Sequence, residues 1–139
     1  MSDAQSRPLP APDTLTRPYW DAAFAERLEL QRCDACGRLR CPPAGHCPDC
    51  GSDAFHWIPV SGSGIVYAFC VAYDTLVRGF SPPYVVAQVE LPEQAGLRIV
   101  TNIVECDPET VHTGMPVEVV FELVSNDIRL PQFRPVAAI

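Results

Sequence analysis

Four cysteines carry the densest chemistry in this chain. They fall in two knuckles, Cys33-Asp34-Ala35-Cys36-Gly37 and Cys47-Pro48-Asp49-Cys50-Gly51, with ten residues between Cys36 and Cys47. In each knuckle the glycine permits the tight turn that lets backbone amides point at thiolate sulfur. Two such knuckles supply four thiolates, and four thiolates close a tetrahedron around zinc. A closed tetrahedron leaves no position at which the metal could activate water. The expected role of Cys33, Cys36, Cys47 and Cys50 is therefore structural: zinc folds a segment that has few apolar residues of its own. Iron of the rubredoxin type is the alternative occupant.

The other candidates are weaker. Cys41 and His46 lie between the knuckles, but the doubled Cys-x-x-Cys-Gly makes both unnecessary as ligands. Cys41 reads as a strand or loop residue, His46 as a surface residue and Cys70 as a buried strand position. Cys106, His56 and His112 show no mutual spacing that suggests a second metal site. No serine, histidine and acid, or cysteine and histidine, are spaced as a nucleophile and its base.

The elements that must hold this site follow from patterning. The chain has 139 residues, enough for one domain or two small units sharing an interface. Residues 1–17, with Pro8, Pro10 and Pro12, read as a mobile arm. Trp20, Phe24 and Leu28 recur at helical spacing, with Pro18 near the first turn, so residues 18–30 are expected to form an amphipathic docking helix. Its aromatic stripe packs either on its own chain or on a partner. Residues 31–60 form the zinc ribbon and residues 61–139 a barrel.

From Ile65 onward the period changes to two. Ile65, Tyr67, Phe69, Val71 and Tyr73 alternate with Val66, Ala68, Cys70 and Ala72. Both sets are apolar, which predicts a long strand buried on both sides. Val85 to Leu91, Leu97 to Val104 and Val117 to Leu123 give three more strands. Ile128 to Val136 is a fifth, and Pro131 and Pro135 place it at an edge. Asp107-Pro108-Glu109-Thr110 predicts one helical turn between the third and fourth strands, with Asp as cap and Pro at the first position. Five strands with a helical turn at that point is the order of an OB-fold, and Gly62 and Gly64 would let the first strand bend around it. The fold class is mainly β: a short helix, a zinc ribbon and a five-stranded OB barrel, with a five-stranded SH3-like barrel, which lacks the helix at that place, as the rival.

Charge narrows the partners. The formal net charge is -7, and residues 61–139 carry nine acids against four arginines. A surface that tracks phosphates has the opposite sign, so nucleic acid is not expected. No apolar run reaches the roughly 20 residues of a membrane span. Seven cysteines without a secretory signal in the first residues favour metal ligands over disulfides, and hence a cytoplasmic protein.

Beyond these physical readings, the sequence resembles a known family. The residues that carry the likeness are Pro18-Tyr19-Trp20, Leu30-Gln31-Arg32-Cys33, Cys47-Pro48-Asp49-Cys50-Gly51-Ser52 and Ser61-Gly62-Ser63-Gly64. Pro82-Pro83-Tyr84, Gly114-Met115-Pro116-Val117 and Pro131-Gln132-Phe133-Arg134-Pro135 continue it. Together they are similar to the zinc-ribbon OB-fold acyl-CoA-associated proteins. The resemblance implies an N-terminal helix, a rubredoxin-like zinc ribbon and a C-terminal OB-fold barrel. It also implies a non-catalytic companion subunit of a thiolase-like enzyme that acts on CoA thioesters, with acyl-CoA as a possible ligand. An arginine is expected after Pro42-Pro43 in that family, and Ala44 stands there, which weakens a phosphate-gripping role for this loop.

Two large-residue clusters suit such a role. Trp20 and Phe24 present the helix stripe. Arg78, Phe80 and Tyr84 lie on the connection between barrel strands one and two, where Arg78 could meet a CoA phosphate and the rings an acyl chain or a partner. The alternatives are a single-strand nucleic-acid binder using Tyr67, Phe69 and Tyr73, which the charge opposes, and an independent acyl-CoA hydrolase, for which no base and nucleophile are available.

Overall fold

The computed structural model describes residues 8–74 and 79–136. Asp13 and Thr16 form a reciprocal turn ahead of the first helix: the Asp13 carboxylate accepts from the Thr16 amide at 2.8 Å, and the Thr16 hydroxyl accepts from the Asp13 amide at 3.1 Å. Helix α1 (Arg17–Phe24) follows, with proline in its first turn. It is shorter than the expected range of 18–30. Glu26 adopts a left-handed conformation (φ 62°), and the amides of Glu26 and Arg27 bond back to the carbonyls of Ala23 and Ala22. That closure ends the helix, so Leu28 leaves the helical period and enters the core.

The ribbon is a three-stranded antiparallel sheet of β1 (Glu29–Cys33), β2 (Leu39–Arg40) and β3 (Phe55–Pro59), ordered β2-β1-β3. The barrel contains β4 (Ser63–Ala72), β5 (Tyr84–Glu90), β6 (Arg98–Ile103), β7 (Pro116–Leu123) and β8 (Arg129–Pro135). These close in the order β4-β5-β6-β8-β7, with β7 returning to β4. This is OB-fold topology. The 3-10 turn Pro108–Thr110 lies between the third and fourth barrel strands, and the Asp107 carboxylate caps it by accepting from the Glu109 amide at 2.9 Å. Among the described residues no helix is long and apolar enough to cross a membrane.

Two strands depart from expectation, each for a backbone reason. β4 is not buried on both sides. Its pairing with β5 slips between Val66 and Ala68, a bulge that shifts the side-chain alternation. Before the bulge Gly64 and Val66 face the core; after it Phe69 and Val71 do. Ile65, Tyr67, Ala68 and Cys70 are left outside. A doubly apolar sequence is thus one inward face that changes parity midway, and Cys70 is exposed rather than buried.

The fifth barrel strand is likewise not an edge. β8 pairs with β7 along seven residues but meets β6 in parallel only at Ile103 and Phe133. The Phe133 carbonyl accepts from the Val104 amide at 2.8 Å, so odd-numbered residues of β8 turn their backbone groups toward β6. Pro131 and Pro135 share that parity, and their missing N–H groups cost no ladder bond to β7. The buried Gln132 side chain serves instead: its Oε1 accepts from the Asn102 amide at 3.2 Å and the Thr101 hydroxyl at 3.3 Å. Phe133, fully buried, fills the barrel centre, and Arg134 bonds Glu118 and Glu105 at 2.9 and 3.3 Å. The Pro-Gln-Phe-Arg-Pro run is therefore a closure device.

Ribbon and barrel share one core. Leu28 and Leu30 pack with Val66, Val89, Leu97 and Phe133. The turn after β5 locks the junction. The Gln94 side-chain amide donates to the Leu39 carbonyl at 2.9 Å and accepts from the Leu39 amide at 2.8 Å, pairing with the ribbon edge as a strand would. Glu93 accepts from the Ser61 amide at 2.7 Å.

Candidate metal centre and the adjoining cleft

The two knuckles are built alike. In the first, the Cys33 amide bonds the Arg38 carbonyl and the Gly37 amide bonds the Cys33 carbonyl, both at 2.9 Å; in the second, Cys47 with Ser52 and Gly51 with Cys47 repeat this at 2.8 and 2.9 Å. Gly37 (φ 78°) and Gly51 (φ 80°) take the left-handed turn that only glycine adopts freely. An ion pair between Arg38 and Asp49 at 2.6 Å ties one knuckle to the other.

The sulfurs converge. Cys33 and Cys50 Sγ lie 3.5 Å apart, Cys36 and Cys47 Sγ 3.6 Å, and all four fall within 4.8 Å of one another. A zinc tetrathiolate with bonds of about 2.3 Å has edges of about 3.8 Å. The donor set fits zinc in number, chemistry and spacing. The Cys36 amide is directed at the Cys33 sulfur, 3.5 Å away, and pulls that thiol down to about 6. The amides of Cys50 and Asp49 lower Cys47 in the same way. Cys36 and Cys50 go the other way: amide hydrogen bonds from Arg38 and Ser52 are outweighed by burial and the neighbouring sulfurs, which push both thiols up, so a bound metal would have to displace their protons.

His46 is exposed and Cys41 is half-buried, and neither belongs to the four-sulfur cluster. Burial pushes the Cys41 thiol up to about 11, so at pH 8 about a thousandth of it is the reactive thiolate. In the zinc-loaded protein, iodoacetamide at pH 8 is expected to alkylate exposed Cys70 at least tenfold faster than Cys41. Peptide mass mapping over time checks this, and equal rates would contradict the burial of Cys41.

The aromatic candidates do not form one site. Phe24 is stacked under the Arg129 guanidinium, 4.9 Å from its ring centre, and Arg129 also donates to the Phe24 carbonyl. The buried face of α1 is Ala22 and Ala23 instead. Phe80 and Tyr84 pair at 4.9 Å between ring centres at the β4–β5 connection. Arg78 lies outside the described residues. Trp20, edge-on to Tyr19 at 5.0 Å, lines a cleft of about 880 Å³ where α1, the ribbon and the outer side of β5 and β6 meet.

Sequence reasoning missed this cleft, because its walls come from four separate stretches of chain. Tyr19, Trp20, Pro42, Pro43, Gln88 and Val100 supply much of its lining, with Arg38 and Arg98 at its margins. One signal was available. Val100 occupies the outward parity of β6, between Arg98 and Asn102, where a half-buried strand normally carries polar residues.

Comparison with known proteins places the two units. Residues 20–56 match the rubredoxin-like zinc ribbon domain of ChsH2 and residues 57–122 its C-terminal OB-fold domain. A probable enoyl-CoA hydratase alpha subunit of Thermomonospora curvata is 42% identical over 129 residues, 93% of this chain; the chain spans 40% of that relative's length. A DUF35 domain-containing scaffold protein of Methanocaldococcus jannaschii is 40% identical over 99 residues, covering 69% of this chain and 68% of the relative. The benzoylsuccinyl-CoA thiolase subunit BbsA of Thauera aromatica is 33% identical over 94 residues, 66% of this chain and 60% of its own. Among solved structures, a chain of the Ltp2-ChsH2(DUF35) aldolase superposes with a TM-score of 0.82 at 41% identity, over 91% of this chain and 98% of that one. Zinc ribbon, closed barrel and these matches together make the chain a member of the ChsH2-type zinc-ribbon OB-fold family, to which DUF35 scaffold proteins belong.

Proposed function

We propose that this chain is a non-catalytic accessory subunit of a thiolase-like or aldolase-like enzyme acting on CoA thioesters. The observation that carries the reading is that the ribbon–barrel pair, with a metal site closed by four thiolates, is what this chain shares with subunits named for such enzymes. A closed zinc site offers no Lewis acid to a substrate. The catalytic groups then belong to the partner, and this chain contributes surface. Phe80 and Tyr84, with Arg78 on the same connection, are contact residues for the acyl-CoA or the partner in this reading; Trp20 and Phe24 are partner contacts. An RNA- or DNA-binding role is disfavoured, because the exposed Tyr67 ring is already covered by Arg98, 3.6 Å from its centre, and the barrel half is acidic.

The test is a tagged full-length chain expressed in its native host. A thiolase-fold enzyme should co-purify at fixed stoichiometry, its thioester activity should depend on the chain, and the isolated chain should show no turnover of acyl-CoA. Turnover by the chain alone, or recovery without any thiolase-fold subunit, would overturn the reading.

A further inference from the structure

The outer face of β4, β5 and β6 is unusual for the exposed side of a barrel in an acidic chain. Ile65 and Tyr67 are 47% and 46% exposed, and Val100 is 68% exposed. The register sets them in neighbouring rows. Ile65 pairs with Glu90, which pairs with Arg98; Ala68 pairs with Gln88, which pairs with Val100; Cys70 pairs with Val86, which pairs with Asn102. Gln88 and Val100 also line the 880 Å³ cleft, so the face runs without a break into the hollow beneath Trp20 and Pro43. The result is a shallow apolar strip ending in a pit.

Its charges lean positive. The strip and cleft hold two acids, Glu90 and Asp49, paired with Arg98 at 3.1 Å and Arg38 at 2.6 Å. A third arginine, the buried Arg40, is held by the Gln31 side chain and the Ala44 carbonyl and has no acid partner among the described residues. In a chain of net charge -7 this zone carries more arginines than acids. That excess favours an occupant that brings carboxylates of its own. An apolar protein surface gains most, since aromatic and arginine side chains with few unpaired charges make up the core of protein–protein interfaces. The two rim guanidiniums are half exposed and able to share a further carboxylate from outside.

We propose that this β4–β6 face and its cleft are the docking surface for the catalytic partner subunit, which inserts an apolar projection into the cleft and sets carboxylates against Arg38 and Arg98. This inference rests on the accessory-subunit reading and adds the surface through which it operates. It centres the interface on the barrel face and Trp20, apart from the Phe80–Tyr84 pair.

The experiment uses the full-length chain and the thiolase-fold subunit recovered with it, reconstituted as a purified pair. Val100→Glu is expected to weaken the complex at least thirtyfold by titration calorimetry, and Tyr67→Ala at least tenfold. Val100 is exposed, so zinc content and melting temperature of Val100→Glu should match the parent. Hydrogen exchange on the complex should slow in residues 86–90 and 98–102. Wild-type affinity in Val100→Glu, or protection confined to residues 80–84 or to α1, would overturn the assigned face while leaving the accessory role intact. Failure of the unmodified chain to bind any thiolase-fold subunit would overturn both. A dimer of the chain alone that Val100→Glu dissociates would also overturn it, giving the face to a second copy.

Discussion

Replacing Cys33 by serine is expected to abolish the ribbon rather than adjust it. Structural zinc contributes about 10–16 kcal/mol of apparent binding free energy in small metal-dependent units. The ribbon has little to set against its loss: its sheet is three short strands, one of two residues. Its deeply buried side chains are chiefly Leu30, Gln31, Cys33, Arg40 and Cys47. Damage does not stop at the knuckles. Leu28 and Leu30 belong to the same packed cluster as Val66, Val89 and Phe133, so melting the ribbon uncovers one side of the barrel core. A fall in melting temperature of more than about 10 °C should accompany loss of zinc from the variant. Chelation of the parent protein should reproduce the effect, and added zinc should reverse it. Cys33→Ser protein that keeps one zinc per chain and melts like the parent would refute the structural role.

The second large effect belongs to the glycines that open the barrel. A Cβ at Gly62 would lie 2.5 Å from Val119 Cγ1, and the residue sits at φ 85°. Left-handed backbone costs an L-residue about 1–2 kcal/mol, and overpacking a fitted core about 1–3 more. Gly62→Ala should therefore lose about 2–5 kcal/mol in urea unfolding. At Gly64 a Cβ would meet Val89 Cγ1 at 2.4 Å and the Glu90 carbonyl at 2.9 Å. The backbone carbonyl cannot swing aside as a side chain can, so Gly64→Ala should be comparably damaging, although its φ is ordinary. Gly45→Ala is the control, because nothing lies within 4 Å of its Cβ position. Equal stability of all three variants would mean that β4 does not approach β5 and β7 this closely.

These glycines also illustrate what the sequence disclosed. Their spacing before an alternating run announced a barrel strand, and the Asp107-Pro108 cap announced the turn that distinguishes an OB-fold. The ribbon was equally legible, because metal ligands are named by residue type and spacing alone. Other features depended on backbone events that alternation does not report. The bulge at Tyr67 made a single inward face look like two. The parity of Pro131 and Pro135 made an interior barrel strand look like an edge, since only pairing shows which side of a strand lacks its donors. Glu26 at positive φ ended α1 two residues earlier, with no glycine to mark it. The cleft was least legible of all. It is assembled from segments that meet only after the ribbon folds onto the barrel, and only Val100, an apolar residue at a polar parity, hinted at it.

Gln94 gives the junction a property that its neighbours lack. The two bonds holding the ribbon edge to the barrel come from a neutral carboxamide, which neither titrates nor attracts counterions. The ion pairs around it, Arg38 with Asp49 and Arg98 with Glu90, are solvent-exposed and weaken as salt rises. Ionic conditions thus act on the rims of the cleft while the angle between its walls stays constant. If a partner docks at this cleft as proposed, its grip should change with the medium while the shape it meets does not.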